Sequence, residues 1–342
     1  MEHTEQVLVT GGSGFIASHC IALLLQNGYR VKTTVRSLTR TKDIKSMLKV
    51  AGIRDFSPLS FVEADLSKAS DWTAAAEGCT YIIHPASPTP GHNATTEEEF
   101  VTPAVNGVLF VLRAAKAAGV KRVVLTSAFG AVGMGTNKTT PYTEDDWTDL
   151  NAELPFYQRS KTLAEKAAWE YIATEGKGLE LAVVNPVGVL GPVLDADYSH
   201  SIRSIHTLLN GEMKGLPKMS FGYVDVRDVA DLHVRAMTHA NANGERFLAV
   251  AGKAISMLDI ARILREAFPE KAARIPKKET PSWLIRTLAI VNPKLRFITP
   301  FLGFVKEVSH EKATRLLGWQ PRSNKEAVIA TAESLIRLGL VK

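Results

Sequence analysis

The chain is poor in cysteine, in aromatic residues and in surplus charge. Cys20 and Cys79 are its two cysteines. They fit neither a C-x-x-C pair nor a zinc-ligand spacing, which argues against a disulfide framework and a thiolate metal centre. Lone thiols suit a reducing compartment, so the expected location is the cytoplasm. The nine histidines show no paired ligand spacing, and no metal is expected. No basic segment followed by a long apolar run opens the chain, so it reads without a signal peptide. The apolar region 283–305 is broken by Arg286, Pro293, Lys294, Arg296 and Pro300. A span needs about 20 mainly apolar residues, so this region reads as buried helix and loop, and no membrane partner is expected. The net charge of +6 is scattered rather than striped. Without aromatic–basic interleaving, nucleic acid is not an expected partner either. A bound polyphosphate is a simpler use for that charge.

What is present is ordinary for a globular protein. The 342 residues are 45% hydrophobic and 22% charged, enough for one large α/β domain and a smaller lobe. Strands are expected at 6–10, 30–35, 59–63, 81–84, 122–126 and 180–185. Several are near-continuous apolar runs, the pattern of strands covered on both faces of a parallel sheet. Helices are expected at 15–26, 97–118 and 152–174. This alternation implies an α/β, doubly wound (Rossmann) and mostly parallel sheet. Past residue 190, proline and glycine become frequent. Residues 1–187 and about 221–249 are assigned to the dinucleotide-binding domain, with 224–239 returning to it as a helix. Residues 188–220 and 250–342 are assigned to a substrate lobe.

The first strand runs into Gly11, Gly14 and Ala17, spaced G-x-x-G-x-x-A. The first glycine permits a tight turn, the second admits a pyrophosphate, and the small third residue lets helix and sheet approach. Ser13, Gly14, Phe15 and Ile16 then open a helix whose free N–H groups suit phosphate oxygens. A glycine motif alone is weak; its place between a strand and a helix strengthens it. NAD binders carry an acid at the end of the second strand, but here the position is Arg36. A guanidinium suits a 2′-phosphate, which favours NADP(H) over NAD. Arg40 and Lys42 could join that cluster. Asp65 and Leu66 are expected beside the adenine, and the turn from His84 through Ala86 and Ser87 at the other end of the cofactor.

Tyr157 and Lys161 form Y-x-x-x-K at the start of a helical pattern. Four-residue spacing puts both on one helical face. A free phenol, with a pKa of about 10, is a poor acid at neutral pH. A neighbouring ammonium stabilises the phenolate, which lets Tyr157 protonate a carbonyl oxygen as hydride reaches the carbon.

Taken with VLVTGGSGFIASH, TTVRS, HPASP, VLTS, YQRSKTLAEKAAWEY, VNPVGVLGP, VDVRDVADLH and LGWQPRS, these motifs cover nearly the whole chain. It resembles the extended short-chain dehydrogenase/reductases, in the branch of dihydroflavonol 4-reductases, cinnamoyl-CoA reductases and aldehyde or methylglyoxal reductases. The resemblance implies an oxidoreductase that uses NADPH to turn aldehydes or ketones into alcohols. It makes Tyr157 and Lys161 catalytic and puts Pro186 and Val189 near the nicotinamide. One position departs from the pattern. The catalytic serine of the family is usually the second of a T-S-S turn, and this chain reads Thr126-Ser127-Ala128. Ser127, Thr126, or a backbone N–H or water remain as carbonyl-polarising donors, with Ser127 the choice. Strand alternation points Ser127 away from the Ala128 side unless the backbone turns.

The expected pocket segments are Phe129, Pro88–His92, Phe156, 187–197 and 283–304. Glu153-Leu154-Pro155-Phe156 precedes Tyr157 in place of the N-W-Y of cinnamoyl-CoA reductases, which speaks against that activity. The acidic run 144–147 reads as a solvated loop with a buried tryptophan, and Asp225 and Asp228 as loop-holding carboxylates. The competing functions are an epimerase or dehydratase with tightly held NAD, a non-catalytic NADPH sensor, and a hydroxysteroid-type dehydrogenase. The expected partner is a small carbonyl compound, with the chain a monomer or homodimer.

Overall fold

Alternation along the first strand sets the architecture: Val7 and Val9 enter one core and Leu8 the other. The computed structural model describes residues 4–88, 96–196 and 199–341. Strands β1 (Gln6–Val9), β2 (Arg30–Val35), β3 (Leu59–Glu63), β4 (Tyr81–His84), β5 (Arg122–Thr126) and β6 (Glu180–Pro186) join a late edge strand, Arg246–Ala249, in one sheet. Its seven strands run in the order Arg246–Ala249, β6, β5, β4, β1, β2, β3, all parallel. The order reverses between β1 and β4. A crevice beyond the carboxyl ends of the strands at such a switch point is where ligands bind in doubly wound sheets.

Helices cover both faces. Helix α1 (Phe15–Gln26) and helix Val226–Thr238 pack on the Val7 side. Helices α2 (Thr41–Val50) and α3 (Asp71–Ala76) follow β2 and β3. Helices α4 (Glu97–Ala117) and α5 (Phe156–Thr174) lie on the Leu8 side and pack against each other. Among the described residues, α4 alone has the length and hydropathy of a bilayer span. It is nevertheless a core helix: Ala104, Val108, Val111, Leu112 and Ala115 enter the core beneath the sheet. A capping box of Thr96 and Glu99 fixes its start.

The strands match expectation to within a residue at each end, and two helices begin later than expected. The pattern from 152 forms a helix only from Phe156, because Pro155 holds an extended conformation at the N-cap and disfavours helix in the residue before it. The segment from 224 opens as a short strand, Tyr223–Asp225, paired with Gly188–Leu190. Its helix begins at Val226, where the Asp225 carboxylate accepts from the Arg227 N–H. A third core gathers residues from 190 onward, including Ile205, Leu216, Ile260, Val328 and Leu335. Ala313, Leu317 and Trp319 instead join the core on the Val7 face of the sheet.

Candidate cofactor and active site

The phosphate loop is shaped by backbone. Gly11 has φ +67°, a left-handed conformation, and a Cβ there would sit 3.0 Å from the Ala86 Cβ. A Cβ on Gly12 would come within 2.4 Å of Thr33 Oγ1, so this turn lies flat against β2. The Gly11 N–H donates to Thr34 Oγ1 at 2.8 Å and the Gly12 N–H to the Thr34 carbonyl at 2.9 Å. The first bond inside α1 runs from the Ser18 N–H to the Gly14 carbonyl at 2.9 Å. The N–H groups of Phe15 and Ile16 therefore precede the ladder. No side chain caps this end, and its first turn holds no acid. That is the condition in which a helix start accepts an anion, so the loop fits a dinucleotide pyrophosphate.

Across the switch point, Thr10 ties β1 to β4. Its hydroxyl contacts His84 Nδ1 at 2.8 Å and accepts from the Ala86 N–H at 3.1 Å. His84 is 1% exposed, and desolvation, followed by the Lys161 charge, lowers its pKa to about 3. It is therefore neutral. At the end of β2, Arg36 and Lys42 are exposed, whereas Arg40 pairs with Asp43 at 3.2 Å. Asp65 accepts from the N–H and hydroxyl of Ser67, both at 2.8 Å, and these bonds lead the causes that hold its pKa low. The Arg36 charge is a smaller cause. Leu66 packs against α4, where a Cβ on Gly107 would meet it at 3.2 Å.

Lys161, Ser127, Thr126, Leu66, Ala86 and Ser87 line one recess beyond the ends of β4 and β5. Ser127 continues the strand alternation: its N–H donates to the Val184 carbonyl at 2.8 Å, so the backbone does not turn before Ala128. Ser127 is 5% exposed, and its Oγ has no partner among the described residues. His84 Nε2, on the same recess, is equally unpartnered. Two orphaned buried polar atoms in one recess suit a ligand that brings hydroxyls, as a nucleotide ribose does. The Thr126 hydroxyl is committed elsewhere, to His233 Nε2 at 2.6 Å. The other His233 nitrogen faces the Val229 carbonyl at 2.7 Å.

Lys161 is buried, and its Nζ donates to the Thr126 carbonyl at 3.4 Å. Desolvation draws its pKa to about 8, and Glu165 opposes that fall. Tyr157, one turn earlier on α5, is 50% exposed and is not part of the recess wall. Desolvation raises its pKa, an effect that solvent limits for a half-exposed side chain. The expected lowering of the phenol by Lys161 is not among the causes of that shift. Pro186 ends β6 and is buried. Val189, 8% exposed, packs within the core that also holds Ala17.

Three clusters went unread in the sequence. Glu165 is 1% exposed; its carboxylate accepts from Arg246 Nε at 2.6 Å, Asn185 Nδ2 at 2.7 Å and Trp169 Nε1 at 3.4 Å. The signal was a charge within the buried stripe of α5, which includes Lys161, Ala164, Glu165, Ala168 and Tyr171. The second is the His233–Thr126 contact. The third corrects the reading of 144–147 as a solvated loop. Glu144 is buried and accepts from the Leu248 N–H at 2.9 Å, while the Arg246 guanidinium stacks 3.8 Å over Trp147. Both side chains serve the edge strand, which a local reading of four residues does not see.

Of the expected pocket residues, Phe129 packs edge-on to Tyr142 and Phe156 against Phe100, each at 5.6 Å. Trp283, Ile290 and Val291 are exposed. Residues 89–92 and 197 lie outside the described residues. Asp225 pairs with Arg227 at 2.7 Å, and Asp228 accepts from the Arg322 N–H at 2.7 Å. Among the described residues no group of acids, histidines or cysteines is arranged to hold a metal ion.

A parallel doubly wound sheet, a glycine loop at its switch point and a Tyr–Lys helix beside it define a dinucleotide-dependent enzyme class. The profile of the NAD dependent epimerase/dehydratase family matches residues 7–250, and the chain belongs to that family. It is 36% identical over 297 residues to cinnamoyl-CoA reductase 1 of Arabidopsis thaliana, covering 85% of this chain and 83% of that one. It is 31% identical over 338 residues to a putative NADPH-dependent methylglyoxal reductase of Candida albicans, covering 92% of this chain and 99% of that one. The yeast methylglyoxal/isovaleraldehyde reductase, solved with NADPH, superposes with a TM-score of 0.80 at 28% identity over 98% of this chain and 99% of that one.

Proposed function

We propose that this chain is an NADPH-dependent reductase that converts aldehydes or ketones to alcohols. The observation that carries the reading is the uncapped start of α1 at the switch point of the sheet, in a chain with Arg36 just past the end of β2 and Tyr157 and Lys161 one turn apart on α5. The Candida relative and the yeast structure, NADPH-linked by name, support it.

NADPH, when bound, supplies the hydride that reaches the carbonyl carbon. Gly11, Ser13, Gly14, Phe15 and Ile16 hold its pyrophosphate, and Arg36 with Lys42 holds the 2′-phosphate. Asp65, Leu66, Ala86 and Ser87 border the nucleoside portions, with Thr126, Pro186 and Val189 toward the nicotinamide end. Tyr157 gives its phenolic proton to the carbonyl oxygen, and the Lys161 ammonium stabilises the phenolate left behind. Ser127 is the donor we assign to polarise the carbonyl, on the strength of its unpartnered Oγ. Residues 188–220 and 250–342 are the lobe assigned to the carbonyl substrate, and the remainder the NADP-binding domain. The buried, unpaired Cys20 and Cys79 support a reducing, cytoplasmic location. Nucleic acid and membranes play no part in this reading, and the protein acts as a monomer or homodimer.

Mixing the protein with NADPH or NADH and a panel of methylglyoxal, aromatic aldehydes, β-keto esters and dihydroflavonols tests it. Loss of NADPH absorbance with at least one carbonyl is expected; no turnover with any of them sinks the reductase reading. The family description favours a second reading, an NAD-dependent epimerase or dehydratase. Arg36 speaks against it, and purified protein carrying tightly held NAD would favour it.

A further inference from the structure

A buried ammonium does not stay charged by itself. Lys161 is 9% exposed, and the recess around it offers little to hold a proton. From β4 it faces His84, a neutral imidazole; from the end of β5 the carbonyl of Thr126, and from the residue after it the hydroxyl of Ser127. From α4 it faces Ala104, Gly107 and Val108, which carry no charge. On its own helix stand Tyr157, one turn before, and Glu165, one turn after. Among the described residues, Glu165 is the single carboxylate on the recess.

Glu165 is not free to move. Arg246 reaches it from the edge strand at 2.6 Å, Asn185 from β6 at 2.7 Å, and Trp169 from α5 at 3.4 Å. Arg246 is itself fixed by the carbonyls of Glu144 and Asp146, at 2.8 and 2.9 Å, and by the Trp147 ring. The Glu144 carboxylate, beside Arg246, is occupied by the Leu248 N–H. One carboxylate thus serves two cations: Arg246 by direct contact and Lys161 through the field along one helix face.

We propose that Glu165, locked by Arg246 and Asn185, is a positioning residue that keeps the Lys161 ammonium charged and aimed into the recess. Its consequence for catalysis rests on the reductase reading; the electrostatics do not. With Lys161 charged, Tyr157 yields its proton readily. With Glu165 neutral, Lys161 loses its proton at lower pH, and the high-pH limb of turnover moves down with it while KM for the carbonyl stays put.

The test is an NMR titration of isotope-labelled lysine in the full-length, cofactor-free protein, with Lys161 assigned through Lys161→Met. The wild-type transition is expected near 8. Glu165→Gln keeps the shape and removes the charge, and the unpartnered Asn185 Oδ1 can turn to accept from the new amide. It is expected to lower the Lys161 transition by about one pH unit or more, the usual effect of losing a nearby opposite charge. Glu165→Asp keeps the charge on a shorter arm and is expected to stay within about half a unit of wild type. A merely structural role predicts the reverse order. If Glu165→Gln leaves the transition unmoved, or Glu165→Asp lowers it more, the proposal is overturned. Should Glu165→Gln fail to fold, Glu165→Gln with Arg246→Met removes both charges of the buried pair, a change that is often tolerated. A smaller shift in the same downward direction is then expected, because a repelling cation leaves with the carboxylate, and its absence counts equally against. A shift seen in a protein that reduces no carbonyl retains this proposal and removes the reductase reading. Turnover without a shift does the opposite.

Discussion

The two ends of the crevice are built differently. The phosphate end is made of backbone: Gly11 turns left-handed, Gly12 lies against Thr33, and the first turn of α1 is left uncapped. The Lys161 end is made of side chains drawn from β4, β5, β6, α5 and the edge strand. Backbone geometry is written in a few consecutive residues. A buried polar cluster is written in residues that meet only after the sheet has formed. The first tolerates change away from its glycines; the second couples every member to the next.

That contrast governs the expected size of each substitution. The largest effect is expected at Tyr157. Tyr157→Phe removes the proton donor and should cut kcat roughly 1,000-fold or more while leaving NADPH affinity, read by fluorescence, near wild type. Equal loss of both would place Tyr157 in cofactor binding instead. Ser127→Ala should lower kcat about 100-fold if its hydroxyl polarises the carbonyl. Unchanged turnover would return that role to a backbone N–H or water near Ala128. Arg36→Ser acts at the other end. It should weaken NADPH roughly 10- to 100-fold and leave NADH nearly untouched, the cost of charge-assisted hydrogen bonds to a 2′-phosphate. Equal weakening of both cofactors would break the assignment.

A separate effect concerns acid stability rather than turnover. His19, His84 and His233 are buried, and desolvation lowers their pKa values to about 4, 3 and 4. Unfolded, each titrates at about 6.5. Between those limits the unfolded chain binds protons that the folded chain does not. Stability is therefore full above about pH 6.5 and falls as pH drops toward 4, by roughly 1.4 kcal/mol per pH unit for each histidine. Denaturant midpoints measured from pH 7 to 5 check the sign; a flat profile would mean these rings are not neutral in the fold.

Legibility followed the same division. The doubly wound sheet could be read from apolar runs such as Val123-Val124-Leu125, because strands covered on both faces need no polar alternation. The left-handed turn at Gly11 and the uncapped start of α1 could be read because both are local features. The side on which Ser127 falls followed from strand alternation. Glu165, Asn185 and Arg246 were not read, because no local pattern says that residues 165, 185 and 246 meet. Nor was the commitment of the Thr126 hydroxyl to His233, 107 positions away. Helix α5 started late for a local reason that the periodicity masked, the proline at 155.

The measurement that tests the central claim most directly is hydride tracing. The protein is incubated with NADPH deuterated at the transferring position and the best carbonyl of the panel, and the product is analysed by mass and NMR. A reductase predicts one deuterium on the alcohol carbon and stoichiometric NADP⁺. Alcohol formed without the label, or cofactor left reduced after turnover, would contradict it.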